Sequence, residues 1–324
     1  MADLPADRIT PGDPPFRHVG ADLFGPFVVK QGRSLVKRYG CLFTCLNIRA
    51  VHIEVLYSMD TDSFVNALQR FICRRGQVRT IRSDNGTNFV GANRELKAAI
   101  DQWNSRKIDD FLRQHNIQWK FNPPTASHMG GVWERQIRTV RKVLSSVMRE
   151  QSLDQETLTT MFCLVESVIN SRPLTAVSND YRDLKPLSPN DLLLVGYEPM
   201  LPLGEFVRQD LYCKRRWRQV QYLADVFWRR WTREYLPTLQ LRQKWLHPVK
   251  NLKVDDVVIV VDDGAPRNVW RLGRVTETYP SEDGLVRTAK VATNSGTLVR
   301  PIHKLCRLDF SDEQSMNIGV DDNA

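Results

Sequence analysis

The sequence lacks the features of membrane-spanning proteins and of secreted, disulfide-bonded proteins. No apolar run approaches the roughly 18 residues needed to cross a bilayer, and residues 1–16 have no basic start followed by an apolar core, so no secretory signal is expected. The 6 cysteines are scattered without a Cys-x2-Cys pair, which argues against a zinc site and a disulfide framework. We expect a soluble intracellular protein without membrane association, whose cysteines are small core residues.

The charge of the chain is unevenly distributed. The formal net charge is +9, and residues 211–250 hold ten Lys or Arg against two acids. Residues 311–324 are acidic and poor in apolar side chains, so we expect a disordered tail there. A basic protein without a membrane helix most often binds a polyanion, and nucleic acid is the first candidate.

Three strand-like runs open the chain, "RHVGADLFGPFVV", "RYGCLFTCLNI" and "AVHIEVLY", spaced as consecutive hairpins. In the third run, Val51, Ile53 and Val55 alternate with His52 and Glu54. This period of two predicts one buried and one solvent-exposed face. We therefore expect His52 and Glu54 on the protein surface.

The period then changes to that of a helix in "MDTDSFVNALQRFICRRG", with Asp60, Thr61 and Asp62 as candidate caps and Gly76 as its end. A strand at 78–83, helices near 91–103 and 106–115, the strand "IQWKF", a helix at about 132–150 and a helix ending before Pro173 follow. This order is that of a ribonuclease-H-like fold, an α/β architecture with a five-stranded mixed sheet. In it the strand after the first helix lies parallel to the first strand.

The second half of the sequence predicts a helical linker and a small β domain. Tryptophans and apolar residues recur near a seven-residue period through 211–247, and we interpret this stripe as core packing. Four short strand-like runs with Gly-containing turns between 253 and 308 suggest a five-stranded SH3-like barrel. The predicted organisation is a disordered lead (1–16), the α/β core (17–200), a basic, Trp-rich linker (201–250), the barrel (251–310) and the tail (311–324).

Three acids are candidates for a metal site. Asp22 stands inside an apolar strand, where a charge is costly unless it is paired or binds a cation. Asp84 ends the strand predicted to lie beside it, and Glu134 opens the long helix. Asp84 with Asn85 and Gly86 alone is typical of a turn, but carboxylates from separate neighbouring elements are what Mg²⁺ requires. Two such ions can support an in-line displacement at phosphorus.

The segments "HVGADLFGPF", "IRSDNGTNFVG" and "NPPTASHMGGVWERQIRTVRKVL" resemble the integrase core of long-terminal-repeat retrotransposons, most closely the Bel/Pao group. Asp22, Asp84 and Glu134 match the D,D,E triad of that family. The resemblance continues through "NSRPLT", "SPNDLLLVG" and the carboxyl-terminal region, covering about 17–308. Members of the family carry an amino-terminal His-His-Cys-Cys zinc module that has no counterpart in this sequence, so no zinc site is expected in this chain.

The resemblance implies a Mg²⁺-dependent polynucleotidyl transferase, with Mn²⁺ as a substitute, that trims the 3′ ends of element DNA and joins them to host DNA. It implies DNA as partner, a homo-oligomer assembled on DNA, and a nuclear location with a cytoplasmic particle stage for an intact element. Arg138, Arg141 and Lys142 share one face of the helix that Glu134 opens, as a basic rail. The expected nucleic-acid-binding residues are Asn85, Asn88, His128, Arg138, Arg141, Lys142, Arg215, Arg216, Arg218, Arg229 and Arg230.

Other interpretations remain open at this stage. The basic helix face is equally typical of a solvated surface, and His128 is more typical of a plain loop histidine than of a residue that orients a phosphate or water. The chain can also be a catalytically inactive or domesticated integrase-derived protein that binds DNA or chromatin. A true ribonuclease H ranks last, because it would not need the basic helix and the barrel.

Overall fold

The computed structural model describes residues 13–83, 103, 105–121, 139–144, 147, 153–176, 186–194, 204–212, 216–239, 251–262, 264–281 and 283–308. The strands are β1 (His18–Gln31), β2 (Ser34–Cys45), β3 (Val51–Leu56), β4 (Thr80–Ser83), β5 (Gln118–Phe121), β6 (Leu153–Asp154), β7 (Thr175–Ala176), β8 (Pro186–Leu187), β9 (Val257–Val260), β10 (Leu272–Pro280), β11 (Val286–Thr293), β12 (Gly296–Pro301) and β13 (Leu305–Arg307). The helices are α1 (Thr61–Arg75), α2 (Ser105–Gln114), α3 (Gln155–Asn170), α4 (Pro189–Leu193) and α5 (Arg216–Leu239). Residues 139–144 are also helical.

The chain divides into two compact units. The first comprises the described residues within Met1–Asn170, Leu192–Val195 and Pro202–Trp231. The second comprises those within Ser171–Asp191, Gly196–Leu201 and Thr232–Ala324.

The central sheet of the first unit has the strand order β3-β2-β1-β4-β5. β1 pairs antiparallel with β2, and β2 with β3, whereas β4 runs parallel to β1 and β5 runs parallel to β4. The short β6 forms a further parallel pair with β1. The predicted antiparallel trio and the predicted parallel neighbour of β1 are both confirmed. A parallel pair needs a crossover connection, and α1 lies within the one between β3 and β4.

Helix α1 has the predicted bounds because its caps and its apolar face agree. The Asp60 carboxylate accepts a hydrogen bond from the Ser63 N–H at 2.7 Å, and the chain leaves the helix at Gly76, whose φ of 89° favours glycine. Phe71 projects from the buried face and stacks on Phe43 of β2 with ring centroids 4.1 Å apart. This contact fixes the crossover helix against the sheet.

Strand β3 is buried on both faces, so the prediction of a solvent-exposed face is wrong. His52 is 1% exposed and Glu54 is 3% exposed. Helix α3 covers the strand from outside: the Asn170 side chain exchanges two hydrogen bonds of 2.8 Å with the backbone of Val51, and Glu166 accepts one of 3.0 Å from the Ile53 N–H. The alternation in the sequence correctly identifies His52 and Glu54 as the polar positions of β3. Their side chains, however, contact charged residues of the neighbouring helices instead of water.

These contacts form a charge cluster, in which His52 and Glu54 are buried and Arg70 and Arg74 reach solvent. Its members are His52, Glu54, Glu166, Arg70, Arg74 and Arg75. His52 lies between the carboxylates, with Nε2 2.8 Å from Glu54 Oε1 and Nδ1 3.2 Å from Glu166 Oε2. Arg70 and Arg74 pair with Glu54, and Arg75 pairs with Glu166. Burial opposes the charged imidazole, yet its hydrogen bonds to Glu166 and Glu54 raise the pKa of His52 overall. Burial likewise opposes both carboxylates, but their bonds to His52 and the arginines lower the pKa values of Glu54 and Glu166.

The cysteines divide between core and surface. Cys41, Cys45 and Cys306 are buried, as predicted. Cys73 and Cys163 are exposed, so the prediction of core positions is wrong for these two. Both lie on the solvent-facing side of a helix, Cys73 on α1 and Cys163 on α3. On an amphipathic helix the position along the helical repeat decides whether a side chain is buried, even for a residue type that is usually buried. Cys213 lies outside the described residues.

The second unit contains a five-stranded antiparallel sheet with the order β12-β11-β10-β9-β13. Irregular register between Val275 and Glu277 and between Tyr279 and Pro280 interrupts β10, and such bulges bend a strand. Its core is formed by small and branched residues: Val258, Val260, Val275, Ala289, Val291 and Leu305. The predicted five strands are confirmed as an antiparallel sheet.

Helix α5 buries most of the predicted stripe. Val220, Ala224, Phe227 and Trp231 are buried, whereas Trp217 is 50% exposed and contacts Phe206 edge-to-face at 5.5 Å. Core packing therefore explains the stripe except at its first tryptophan. Among the described helices, none combines the length and apolar character needed to cross a membrane.

The charge cluster predicts how stability depends on pH. Since the pKa of His52 is raised in the folded chain, its contribution is complete below about pH 6.5 and is lost as pH rises through the folded value. Replacing His52 with Gln should lower the free energy of unfolding by about 1.5–3 kcal/mol at pH 6, and the difference from wild type should shrink at higher pH. The lowered pKa values of Glu54 and Glu166 give the opposite flank, with stability lost as pH falls below about 4.3.

Urea denaturation of both proteins between about pH 2.5 and 9 measures these effects. Parallel stability curves for wild type and variant would contradict the assignment.

Candidate metal and nucleic-acid site

Asp22 lies in the middle of β1, the strand that pairs with β2 on one side and β4 on the other. Its side chain is 15% exposed, and its neighbours Ala21 and Leu23 are buried. The carboxylate oxygen Oδ1 accepts hydrogen bonds from the Leu23 N–H at 2.9 Å and from Arg141 Nη2 at 2.6 Å. Burial, followed by the negative charge of Asp22, raises the pKa of the Cys41 thiol. The expectation that a charged residue inside this strand has a partner is confirmed, because Asp22 forms an ion pair with the cationic side chain of Arg141.

The register of the parallel pair defines what lies beside Asp22. His18, Val19, Gly20 and Ala21 pair in order with Thr80, Ile81, Arg82 and Ser83. Ser83 is the last residue of β4, and Asp84 follows it in the sequence as Asp22 follows Ala21. Asp84 and Glu134 lie outside the described residues. The structure thus brings the carboxyl end of β4 to the strand position just before Asp22.

The end of β4 is fixed by a buried hydrogen bond. Trp119 of β5 donates from Nε1 to the Ser83 hydroxyl at 2.8 Å, and Ser83 is 5% exposed. The Trp119 ring packs on Phe64 of α1 at 5.6 Å. Ser83 is therefore held from the side opposite β1. Sequence reasoning did not find this contact, since nothing in the local pattern links two residues on adjacent parallel strands.

Arg141 is the basic residue that the structure places at Asp22. It belongs to helical residues 139–144, where Val140, Val143 and Leu144 are buried and Lys142 is exposed. Arg141 Nη2 also donates to the Leu23 carbonyl oxygen, while its Nε is buried and has no acceptor in the described part of the chain. Its position seven residues after Glu134 was the signal available in the sequence. That spacing indicated a shared helix face but not an ion pair with β1.

Two of the other expected nucleic-acid-binding residues, Arg216 and Arg218, form ion pairs with acidic residues of the protein. Arg218 contacts Asp210 through Nε at 2.7 Å and Nη2 at 3.3 Å, and its guanidinium lies 5.7 Å from the Phe206 ring centroid. Arg216 lies 3.2 Å from the Asp154 carboxylate. Hydrogen bonding to Arg218 holds the pKa of Asp210 below its usual range. Arg218 therefore binds the 3-10 turn at Arg208–Tyr212, which precedes α5, through the carboxylate of Asp210.

On the same helix, Arg229 is exposed and Arg230 is partly exposed. Arg229 Nε lies 3.4 Å from the Asp225 carbonyl oxygen, one turn earlier. The remaining expected contacts lie outside the described residues: Asn85, Asn88, His128, Arg138 and Arg215.

A metal site needs several donors, and the described residues supply one of the expected three. Within the ranges that the structure describes, no group of three or more His, Cys, Asp or Glu side chains is placed to hold a metal ion. The expected donor set therefore consists of Asp22 and of two positions beyond those ranges.

Comparisons with known proteins give one family match and several distant structural similarities. A family of unknown function (DUF5641) matches residues 215–308. No curated protein matches the chain. One similar solved structure is a chain of the simian T-cell lymphotropic virus intasome in complex with PP2A regulatory subunit B56 gamma, with 13% identity over 95% of this chain and 84% of that chain and a TM-score of 0.36. Another is the catalytic core domain of BIV integrase, with 14% identity over 55% of this chain and 94% of that chain and a TM-score of 0.35.

The Trp119–Ser83 bond predicts a measurable contribution to stability. Trp119→Phe should lower the free energy of unfolding by about 1–3 kcal/mol, because it leaves the buried Ser83 hydroxyl without its donor. Ser83→Ala should cost less, about 1 kcal/mol, and adding it to Trp119→Phe should add little. Urea denaturation measures all three variants. Tyr279→Phe, which removes an exposed hydroxyl, is the control and should change stability by less than about 0.5 kcal/mol; an equally small change in Trp119→Phe would show that the bond does not stabilise β4.

Proposed function

We propose that this chain is the integrase of a long-terminal-repeat retrotransposon of the Bel/Pao group. In this proposal it is a divalent-metal-dependent polynucleotidyl transferase that trims the 3′ ends of element DNA and joins them to host DNA. The observation that carries the proposal is the register of β1 and β4, which puts Asp22 one position beyond the pair formed by Ala21 and the terminal residue of β4.

The topology of the first unit supports a ribonuclease-H-like core. Its sheet has three antiparallel strands in chain order, with the fourth strand parallel to the first and the fifth parallel to the fourth. This is the arrangement expected from the integrase resemblance of the sequence motifs. We further propose that the five-stranded sheet of the second unit is the SH3-like barrel, and that the domain limits near 200 and 250 separate core, linker and barrel.

The oxygen chemistry of Asp22 fits a hard divalent cation such as Mg²⁺ or Mn²⁺. In the proposed site Asp22, Asp84 and Glu134 would hold the metal ions. When bound, such ions activate the attacking oxygen and stabilise the leaving oxygen of an in-line displacement, without a covalent protein nucleophile. The role of the chain would be to supply these three carboxylates and to orient the DNA.

Phosphate contacts account for DNA binding in this proposal. Arg141 and the exposed Lys142 lie on the helical segment beside Asp22, and Arg229 and Arg230 lie on α5. Cationic side chains bind phosphate without reading base sequence, which suits an enzyme that accepts many target sites. We assign Asn85, Asn88, His128, Arg138 and Arg215 to the same DNA surface. Assembly of several protomers on DNA and a nuclear site of action follow from the same proposal.

Asp22→Asn tests the catalytic assignment. The substitution keeps the size of the side chain and removes its charge, so joining of DNA ends in Mg²⁺ or Mn²⁺ should fall at least about 100-fold, as expected for the loss of a metal ligand. DNA affinity should stay within a few-fold of wild type. Asp84→Asn should behave in the same way, and Asp109→Asn on the exposed side of α2 is the matched control.

Strand-transfer and electrophoretic mobility assays on DNA carrying the element termini provide the readouts. Full joining activity in Asp22→Asn would refute the role of Asp22. A folded wild-type protein that binds DNA but neither nicks nor joins it in either metal would instead identify a DNA-binding protein derived from an integrase.

The two arginines on α5 give a separate test of DNA binding. Changing both Arg229 and Arg230 to Gln should weaken affinity for any duplex sequence and reduce the slope of log affinity against log salt by about 2, since each lost phosphate contact removes roughly one unit. Arg113→Gln, at an exposed position in the last turn of α2, should leave the slope unchanged. Fluorescence anisotropy at several salt concentrations measures the slope, and an unaltered slope in the double variant would remove α5 from the DNA surface.

A further inference from the structure

The ion pair between Arg141 and Asp22 occupies one oxygen, Oδ1, of the carboxylate that the proposed function needs for metal. We propose that Arg141 competes with the divalent cation for Asp22 and exchanges onto a DNA phosphate, so that DNA binding releases Asp22 for the metal. This inference rests on the proposed function and adds a regulatory coupling to the same site.

The competition follows from the donors already present at Asp22. One carboxylate oxygen, Oδ1, accepts from the Leu23 N–H at 2.9 Å and from Arg141 Nη2 at 2.6 Å. A cation that approached this oxygen would have to share it with two donors, one of which carries a full positive charge. The pair is partly shielded from water, with Asp22 15% and Arg141 32% exposed. Its strength should therefore exceed that of a fully exposed pair.

The transfer of Arg141 to a phosphate follows from a hydrogen-bond donor on its guanidinium that is unsatisfied within the described residues. Nε and Nη2 form one edge of the guanidinium and can bind two oxygens of a single anion side by side. Here Nη2 reaches Asp22 and the Leu23 carbonyl oxygen, whereas the buried Nε has no acceptor in the described residues. A phosphate offers two adjacent anionic oxygens and can satisfy both groups. The pair with Asp22 therefore leaves unused a hydrogen bond that phosphate can supply.

The two halves together predict reciprocal coupling. If DNA removes Arg141 from Asp22, DNA must raise metal affinity, and metal must raise DNA affinity by the same factor. Direct contact of phosphate with the metal would also couple the two ligands. The Arg141→Gln variant, which lacks the charge, identifies the share of the coupling between DNA and metal that depends on Arg141.

The experiment measures Mn²⁺ binding to the full chain from the electron paramagnetic resonance signal of free Mn²⁺, with and without a short duplex. The proteins are wild type, Arg141→Gln, Arg141→Lys and Asp22→Asn, with Lys107→Gln as control because it removes another cation that pairs with an aspartate. Without DNA, Arg141→Gln should bind Mn²⁺ about three- to tenfold more tightly than wild type. With DNA, the two should bind alike, so the gain caused by DNA falls by that factor.

Arg141→Lys keeps the charge but loses the planar edge, so its Mn²⁺ affinity without DNA should lie between those of wild type and Arg141→Gln. If Arg141→Gln does not fold, Arg141→Lys provides the test. Equal or weaker Mn²⁺ binding in the Arg141 variants without DNA would overturn the exchange and would indicate that Arg141 only positions Asp22. That result would leave the proposed function intact provided that Asp22→Asn weakens Mn²⁺ binding. Unchanged Mn²⁺ affinity in Asp22→Asn would instead overturn Asp22 as a ligand, and the exchange with it.

Discussion

The parallel pairing of β1 with β4 is the constraint on which the candidate site depends. Asp22 pairs with Leu42 of β2, and the four residues before it in β1 pair with β4. A shift of the β4 register by one residue would invert which face of the sheet its side chains occupy. The hydrogen bond from Trp119 to Ser83 and the packing of Trp119 on Phe64 oppose such a shift. Sites built on strands held in this way are positioned more accurately than sites built on loops.

The same sheet has an edge strand at β3, which α3 and the charge cluster cover. An open edge strand offers unpaired backbone groups to other chains. Side chains of α3 satisfy the backbone of Val51 and Ile53, and this places Glu166 in the interior beside Glu54. The Glu54 carboxylate is buried and that of Glu166 is largely shielded from water, so both need the cations that surround them. This need explains the presence of Arg70, Arg74 and Arg75 in one helix. The cluster is a structural consequence of covering the edge and does not require a catalytic role.

Local sequence patterns predicted elements well, and contacts between distant residues poorly. The cap at Asp60, the exit at Gly76 and the hairpin strands depend on neighbours in sequence, so their signals are visible in a short window. The burial of His52 depends on Glu166 and Arg75, and no local pattern carries that information. Alternation in β3 therefore predicted the wrong environment for correctly identified residues. At the candidate site, the lone acid in an apolar strand was a valid signal that Asp22 needs a partner, but the pattern did not say that Arg141 provides it.

The pair between Asp22 and Arg141 also bears on an electrostatic problem of the proposed site, which would be built from several acids. Carboxylates brought close together repel one another, and without a cation at least one of them tends to become protonated. A guanidinium cannot lose its charge in proteins, so it neutralises a partner carboxylate at any ordinary pH. Arg141 thus supplies Asp22 with a positive counter-charge before any metal is bound. In the proposed exchange a divalent cation would take the place of the guanidinium at Asp22 while the guanidinium binds phosphate, so that the carboxylate would keep a positive counter-charge throughout.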